Sequence, residues 1–285
     1  MYPVLSHYQV RPLLKQRAEA ESQTIEVKTS FDLGISQSTA TLGAEGLLYA
    51  DLAPIIWADL ELISAEENAV FEIFDDGEVQ KVSTFSEELQ RSYSLFPTLS
   101  APTMLVSGIT MHRIVDCDPH QDTLNKIKAF DGPPTGNVLD TTMGLGYTAI
   151  QAARTAASVT TIEIDPAVVE ICRLNPWSQG LFEKENIKRH LGHSWDVIET
   201  FKASSFSTIT HDPPMFNMAG ELYSLEFYKE LHRVLGQRGK LFHYIGNPNS
   251  KSGARTTRGV IKRLKEAGFN RVLGREQAFG VLAIK

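Results

Sequence analysis

The sequence predicts an α/β protein, a largely parallel sheet flanked by helices and preceded by a small β-rich domain. Three observations carry that expectation. From Val138 to Asp165 the chain reads strand, glycine turn, helix, strand. From Ile187 to Ile284, apolar runs of strand length alternate with amphipathic helical stretches, as repeated crossover units of a parallel sheet require. Before residue 100 the runs are short, β-like and broken by glycines. The expected division is a small domain over 1–100 and a Rossmann-like domain over 101–285.

Taken in order, Pro12 to Glu21 has the composition of a short helix. Ile25 to Phe31, Thr39 to Leu42 and Gly46 to Ala50 read as strands separated by glycine turns, and Ile55 to Ile63 as a helix. Val70 to Phe74 and Val79 to Thr84 flank Asp75-Asp76-Gly77, a hairpin signal. Ser86 to Leu89 suggests another short helix, and Pro97 to Pro102 a linker. Met104 to Ser107 and Ile109 to Ile114 lead to the main domain. The helix Pro119 to Phe130 then presents Leu124, Ile127 and Phe130 on one face.

In the main domain Val138-Leu139 ends a strand at Asp140, Tyr147 to Ala157 is helix-compatible, and Val159 to Ile164 reads as a buried parallel strand. Asp165-Pro166 has the chemistry of a helix start. Ile187 to Leu191, Phe206 to Thr210 and Leu241 to Ile245 continue the strands, with a strong helix over Glu221 to Leu235 and a basic one over Arg255 to Ala267. Asn270 to Gly274 and Phe279 to Ile284 close the chain as an antiparallel pair.

Composition bounds the answer loosely. With 285 residues, 42% hydrophobic and 22% charged, the chain has ordinary globular usage. It has no run near the ~18 apolar residues of a membrane span, so no membrane contact is expected. The N-terminus lacks a signal-type apolar core, and a cytoplasmic location is expected. Cys117 and Cys172 form no C-x-x-C, so no metal site is expected. Residues 1–131 carry 9 basic against 20 acidic residues, and residues 132–285 carry 19 against 14. Ten of those basic residues fall between Arg238 and Arg275, a stretch that could meet phosphates or be a solvated helix face.

The turn after Asp140 is suited to a nucleoside. Gly144 and Gly146 allow close backbone approach, the next helix offers free N–H groups, and Glu163, nineteen residues after Gly144, can accept ribose hydroxyls. Downstream lies His211-Asp212-Pro213-Pro214-Met215-Phe216. At these two motifs the sequence resembles the class I S-adenosylmethionine-dependent methyltransferases. More narrowly it resembles a chiefly archaeal family of predicted methyltransferases, through Lys28 to Gly34 (KTSFDLG), Ser107 to Ile114 (SGITMHRI) and His211 to Leu235.

That resemblance implies a seven-stranded sheet of class I methyltransferase type and S-adenosyl-L-methionine as cofactor. It implies cofactor contacts from Asp140, Thr142, Gly144, Gly146, Tyr147, Thr148, Glu163 and Ile164, and from His193, Ser194 and Trp195 after the third strand. His193 departs from the acid usual there, and Thr142 from the usual first glycine. Asp212 and the Pro213 carbonyl would hold an acceptor nitrogen in line with the transferred carbon, Pro214 would stiffen the loop, and Phe216 would stack on a planar base. Acceptor contacts are expected from His112, Arg113, Met215, Tyr223, Tyr244 and Asn247. The functional expectation is a methyltransferase acting on a nitrogen of RNA or another amine, with a homodimer compatible with the chain. One alternative is an aminopropyltransferase of the spermidine-synthase type, which carries a further acid three residues before the DP aspartate, where this sequence has Ile209. The other is a non-catalytic cofactor-binding scaffold.

Overall fold

The computed structural model describes residues 2–21, 23–216, 218–248 and 250–285. The chain divides into two compact units, one of residues 1–120 with 167–179, the other of residues 121–166 with 180–285.

The N-terminal unit begins with Val4–Leu5 and the helix His7–Glu19. This helix starts five residues before the expected Pro12. Ser6 and Gln9 form a capping box, Ser6 Oγ accepting from Tyr8 N (3.3 Å) and Gln9 Oε1 from Ser6 N (3.0 Å), and Pro12 is carried inside. Three small antiparallel sheets follow. Ile25–Thr29, Ser38–Leu42, Gly46–Leu48 and Ile55–Ile56 form one, and Val4–Leu5, Phe71–Ile73 and Val79–Lys81 another. The third runs Ile109–Thr110, Thr103–Val106, Arg91–Phe96, Ser83–Ser86. Leu5, Val10, Leu13, Leu42, Leu47, Ile55, Leu60, Ile63 and Ile73 belong to one core shared by the first two of these sheets.

Several local expectations change here. The helix expected at Ile55 begins at Trp57. The one expected at Ser86 is a hairpin turn: Ser86 Oγ accepts from Leu89 N (3.1 Å), and Gln90 turns at φ 51°. Thr103–Val106 pairs onto Arg91–Phe96, and Ile109–Thr110 onto Thr103–Val106, so the chain just past residue 100 belongs to this unit. In the KTSFDLG stretch Asp32 accepts from Ser36 N and Oγ (2.9 and 2.5 Å), and Ser30 Oγ accepts from Gly34 N (2.7 Å). Burial raises the Asp32 carboxyl, and these bonds outweigh it and hold the group below its ordinary range. The motif is therefore a self-tied turn.

The second unit is built on one sheet whose strands are β1 (Asn137–Asp140), β2 (Ser158–Glu163), β3 (Ile187–Leu191), β4 (Phe206–His211), β5 (Leu235–Tyr244), β6 (Arg271–Arg275) and β7 (Gly280–Ile284). Their order is β3-β2-β1-β4-β5-β7-β6, with β7 antiparallel to both neighbours and the other pairings parallel. This is a Rossmann-like mixed sheet. The chain moves outward from β1 to β3, then returns to lay β4 on the other side of β1. The carboxyl ends of β1 and β4 thus form a topological switch point, where open sheets bind ligands.

The helix Leu225–Val234 opens with Ser224 Oγ accepting from Phe227 N (3.1 Å) and buries Phe227, Tyr228, Leu231 and Val234 as a stripe against Leu139, Ile209 and Leu241. The helix Tyr147–Ala152 stops five residues before the expected Ala157. The Asn186 side chain donates to the carbonyls of Ala153 and Ala156 (2.9 and 3.2 Å), drawing them away from helical partners. Among the described residues no helix is long and apolar enough to cross a membrane.

Candidate active site

Asp140 ends β1, in register with Thr161 of β2 and Thr210 of β4. It is 1% exposed. Its Oδ2 accepts from Thr161 Oγ1 (2.7 Å), while Oδ1 has no partner among the described residues. Burial dominates and pushes the carboxyl up to about 7, although the threonine bond pulls the other way.

Glu163 ends β2 and folds back over the glycine turn. Its Oε2 accepts from Gly144 N (3.0 Å), and Oε1 from Ile164 N (2.9 Å) and Asp165 N (3.1 Å). Burial still outweighs these bonds and raises it to about 7. Three acceptor positions are taken of the four a carboxylate offers, which leaves one for a ligand hydroxyl.

The turn itself is tied from several sides. Thr141 N donates to Thr210 O (3.0 Å), and Ser194 Oγ donates to Thr141 O (2.6 Å). Thr142 Oγ1 donates to the Asp212 carbonyl (2.7 Å), so the residue in place of a first glycine clamps the turn to the D-P-P loop. Gly146 stands at φ 76°, and a Cβ there would lie 2.3 Å from Leu181 Cδ1. That glycine answers a packing demand. Tyr147 and Thr148 are buried at the head of the following helix, and Ile164 is exposed.

His211 is fully buried and neutral. Its Nε2 meets the Leu222 carbonyl at 2.9 Å and must donate there, so Nδ1 accepts from the Thr141 hydroxyl at 2.7 Å. Burial drives its pKa down to about 3. Its ring packs on His243, 4.4 Å away, which in turn meets the Tyr228 hydroxyl through Nε2 (2.8 Å). These two histidines brace the sheet edge.

Asp212, the residue after β4, has a side chain 22% exposed. Its Oδ2 accepts from Lys126 Nζ at 2.6 Å, and Lys126 Nζ also lies 2.9 Å from Asp122 Oδ2. Burial raises the Asp212 carboxyl and remains the larger effect against the pull of Lys126. Lys126 also packs over the Tyr244 ring, 4.5 Å from its centroid. On the helix Pro119–Lys128 the expected Leu124 and Ile127 are only half-buried. Pro119, Asp122, Thr123 and Lys126 are its buried positions, and Phe130, just past its end, is buried as well. Lys126 and Asp122 are the site residues that sequence reading missed, and their spacing of four was the available signal.

Pro213 is buried, whereas Pro214, Met215 and Phe216 are exposed. Tyr223 donates its hydroxyl to the Pro214 carbonyl (3.1 Å), and the Phe216 ring meets Tyr223 edge-on at 5.4 Å. Phe216 is thus available at the loop tip. His193 caps the helix Ser194–Glu199, its Nδ1 accepting from Trp195 N (3.2 Å) and its Nε2 3.5 Å from Glu221. Trp195 packs on Phe227 at 5.6 Å. An open cavity of about 540 Å³ lies here, lined by His193, Trp195, Asp196, Glu221, Ser224 and Glu226. A second, of about 420 Å³, lies around Asn137, Ser207 and Arg238, at the opposite end of the sheet from Asp140 and Asp212.

Asn247 is exposed, and its carbonyl accepts from Ser250. His112 and Arg113 lie in the N-terminal unit, where the His112 ring and backbone both meet Thr103 Oγ1 (3.0 and 3.1 Å). Of the basic stretch, Lys240, Arg263 and Arg275 are already used on the carbonyls of Phe130, Tyr223 and Ala129.

No family model matches the chain. It is 47% identical, over 227 residues, to uncharacterized protein MJ1233 of Methanocaldococcus jannaschii, a match covering 79% of this chain and 77% of that one. The chain belongs to the family of that archaeal protein. Two solved structures share the fold at 15% identity. They are the spermidine synthase from Thermotoga maritima (TM-score 0.55, 75% of this chain and 77% of that one) and a spermidine synthase in complex with the transition-state analogue AdoDATO (TM-score 0.58, 75% and 78%). These likenesses correct the functional expectation. Both of these structures, matched over three quarters of this chain, are spermidine synthases, and the expectation of methyl transfer to nitrogen is withdrawn.

Proposed function

We propose that the chain is a transferase of the aminopropyl type, moving an aminopropyl group from a decarboxylated S-adenosylmethionine donor to an amine. One observation carries this reading, the acidic cradle at the switch point. Asp140, Glu163 and Asp212 converge on the carboxyl ends of β1, β2 and β4, and Lys126 is the cation ion-paired there. A donor with an ammonium and no carboxylate suits that field. A donor carrying its own carboxylate would meet repulsion from three acids. The fold shared with spermidine synthases supports the same reading.

The residues fit such a donor on two counts. Glu163 retains one acceptor position for a ribose hydroxyl beside a turn whose amide it already orders. Asp140 has a buried oxygen with no protein partner, an acceptor for an ammonium N–H. Ile209, at the position of the additional acid of spermidine synthases, is a core residue with no exposure, so the acidic work falls to Asp140 and Asp212.

The donor supplies a carbon made electrophilic by its sulfonium. The acceptor nitrogen forms the new C–N bond as the C–S bond breaks, sulfur leaves as a neutral thioether, and the nitrogen then loses one proton. Asp212 accepts a hydrogen bond from that nitrogen and stabilises the charge growing on it, on a loop stiffened by two prolines. Calorimetric titration with decarboxylated and intact S-adenosylmethionine tests the proposal. At least tenfold tighter binding of the decarboxylated donor, with labelled aminopropyl appearing on a diamine, is expected. Tighter binding of the intact form, or binding of neither, overturns it.

A further inference from the structure

Resting on that reading, we propose that Lys126, held by Asp122, is the positioning residue that sets the charge and direction of Asp212. The geometry is a three-member chain from two elements. Asp122 and Lys126 lie one turn apart on the helix Pro119–Lys128, and Lys126 spans to the loop after β4. Asp122 has no exposure and Lys126 4%. Asp122 thus supplies a second anion beside the ammonium and does not compete with solvent for it. The Tyr244 ring at 4.5 Å gives the charge a third wall.

The consequence for Asp212 is specific. Oδ2 is taken by Lys126 at 2.6 Å, and no other side chain bonds to the carboxylate among the described residues. Oδ1 is left for an acceptor nitrogen. One fixed oxygen and one free one give the carboxylate a direction. The groups facing it are Lys126 and Asp122 from the helix, Asp140 from β1, Tyr223 from the turn before the helix Leu225–Val234, and Tyr244 from β5 through Lys126. Lys126 is the cation in that set. Burial pushes the Asp212 carboxyl up, and the ammonium opposes that push. Burial lowers Lys126 too, but the two carboxylates outweigh it and keep the ammonium charged. Beside the ammonium, Asp212 can take a hydrogen bond from an amine N–H on Oδ1 and stabilise the product ammonium.

The test follows the Asp212 carboxyl carbon by ¹³C NMR titration, the resonance assigned by its loss in Asp212→Asn. In Lys126→Met the titration midpoint should rise by at least one pH unit, and Lys126→Arg should return it to within a few tenths. The acidic limb of kcat/KM for aminopropyl transfer should move with it. If Lys126→Met does not fold, Asp122→Asn with Lys126→Gln removes the charge imbalance and should show a smaller rise, since Asp122 itself pushes Asp212 up. An unmoved midpoint in the folded variants overturns the proposal. A midpoint that moves in a protein without aminopropyl transfer overturns the reaction assigned above and leaves the role of Lys126 standing.

Discussion

The hydroxyl of Thr142 donates a 2.7 Å hydrogen bond to the backbone carbonyl of Asp212. The glycine turn after β1 and the D-P-P loop after β4 are therefore joined at the point where the sheet's direction of winding reverses. Thr142→Ala should cost about 1 kcal/mol of stability, the usual worth of such a bond. It should lower kcat more than it raises KM, and Thr142→Ser should retain both. Thermal denaturation and steady-state transfer kinetics check this together.

Glu163→Gln should weaken donor binding by roughly 10- to 100-fold, the value of a charged hydrogen bond. The loss combines the ligand's bond with a loosened turn, since the amides of Gly144, Ile164 and Asp165 lose a charged acceptor. Calorimetry with decarboxylated S-adenosylmethionine measures it, and an unchanged affinity would remove Glu163 from the donor site.

The pH dependence has a definite sign. Asp140 is raised from 3.8 to about 7, so between these values the folded protein holds more protons than the unfolded chain. Stability contributed by this group is present below about pH 4 and is lost as pH rises to about 7. Asp140→Asn should therefore stabilise the protein at pH 8, on the order of 1–4 kcal/mol, and flatten the curve between pH 4 and 7. Urea denaturation at a series of pH values reads it out. Donor affinity should move the opposite way, rising from pH 6 to pH 8 in the wild type as Asp140 and Glu163 ionise.

Gly146→Ala should destabilise by about 1–3 kcal/mol, through the left-handed backbone and the overlap with Leu181 together. Combining it with Leu181→Ala removes the overlap but not the backbone strain. A double variant that loses less stability than the two single variants summed would separate the two contributions.

Much of this was legible in the residues. The runs Val138-Leu139, Val159–Ile164 and Phe206–Thr210 are apolar or β-branched enough to read as strands, and β1, β2 and β4 follow them, whereas β5 starts at Leu235, six residues before its expected run at Leu241. Asp140, Glu163 and Asp212 declared themselves because acids rarely end buried strands without a task. Lys126 did not, since a Lys four residues after an Asp on a helix usually marks a solvated face, and only the tertiary fold turned it inward. His211 opens the motif that ends at Phe216, and His243 stands beside it in register on β5. Their bonds to Thr141, Leu222 and Tyr228 show how burial turns an imidazole into a strut. The helix expected at Ser86 failed because the Ser86 side chain serves a turn equally well.

Residues 167–179 belong to the N-terminal unit although β1 and β2 precede them in the chain. Trp177 donates its indole N–H to the Leu33 carbonyl (3.1 Å), and Thr84 donates to Glu170 (3.2 Å), so this segment is bonded to the unit's first hundred residues. On the ribosome, then, the first unit cannot finish when residue 120 emerges. It waits for roughly 60 further residues, several seconds at the ~5–20 residues per second of synthesis. During that interval the first two strands of the other unit are already outside the exit tunnel. Neither unit is a contiguous stretch of message, and a fragment ending at residue 120 leaves the first one without its last piece.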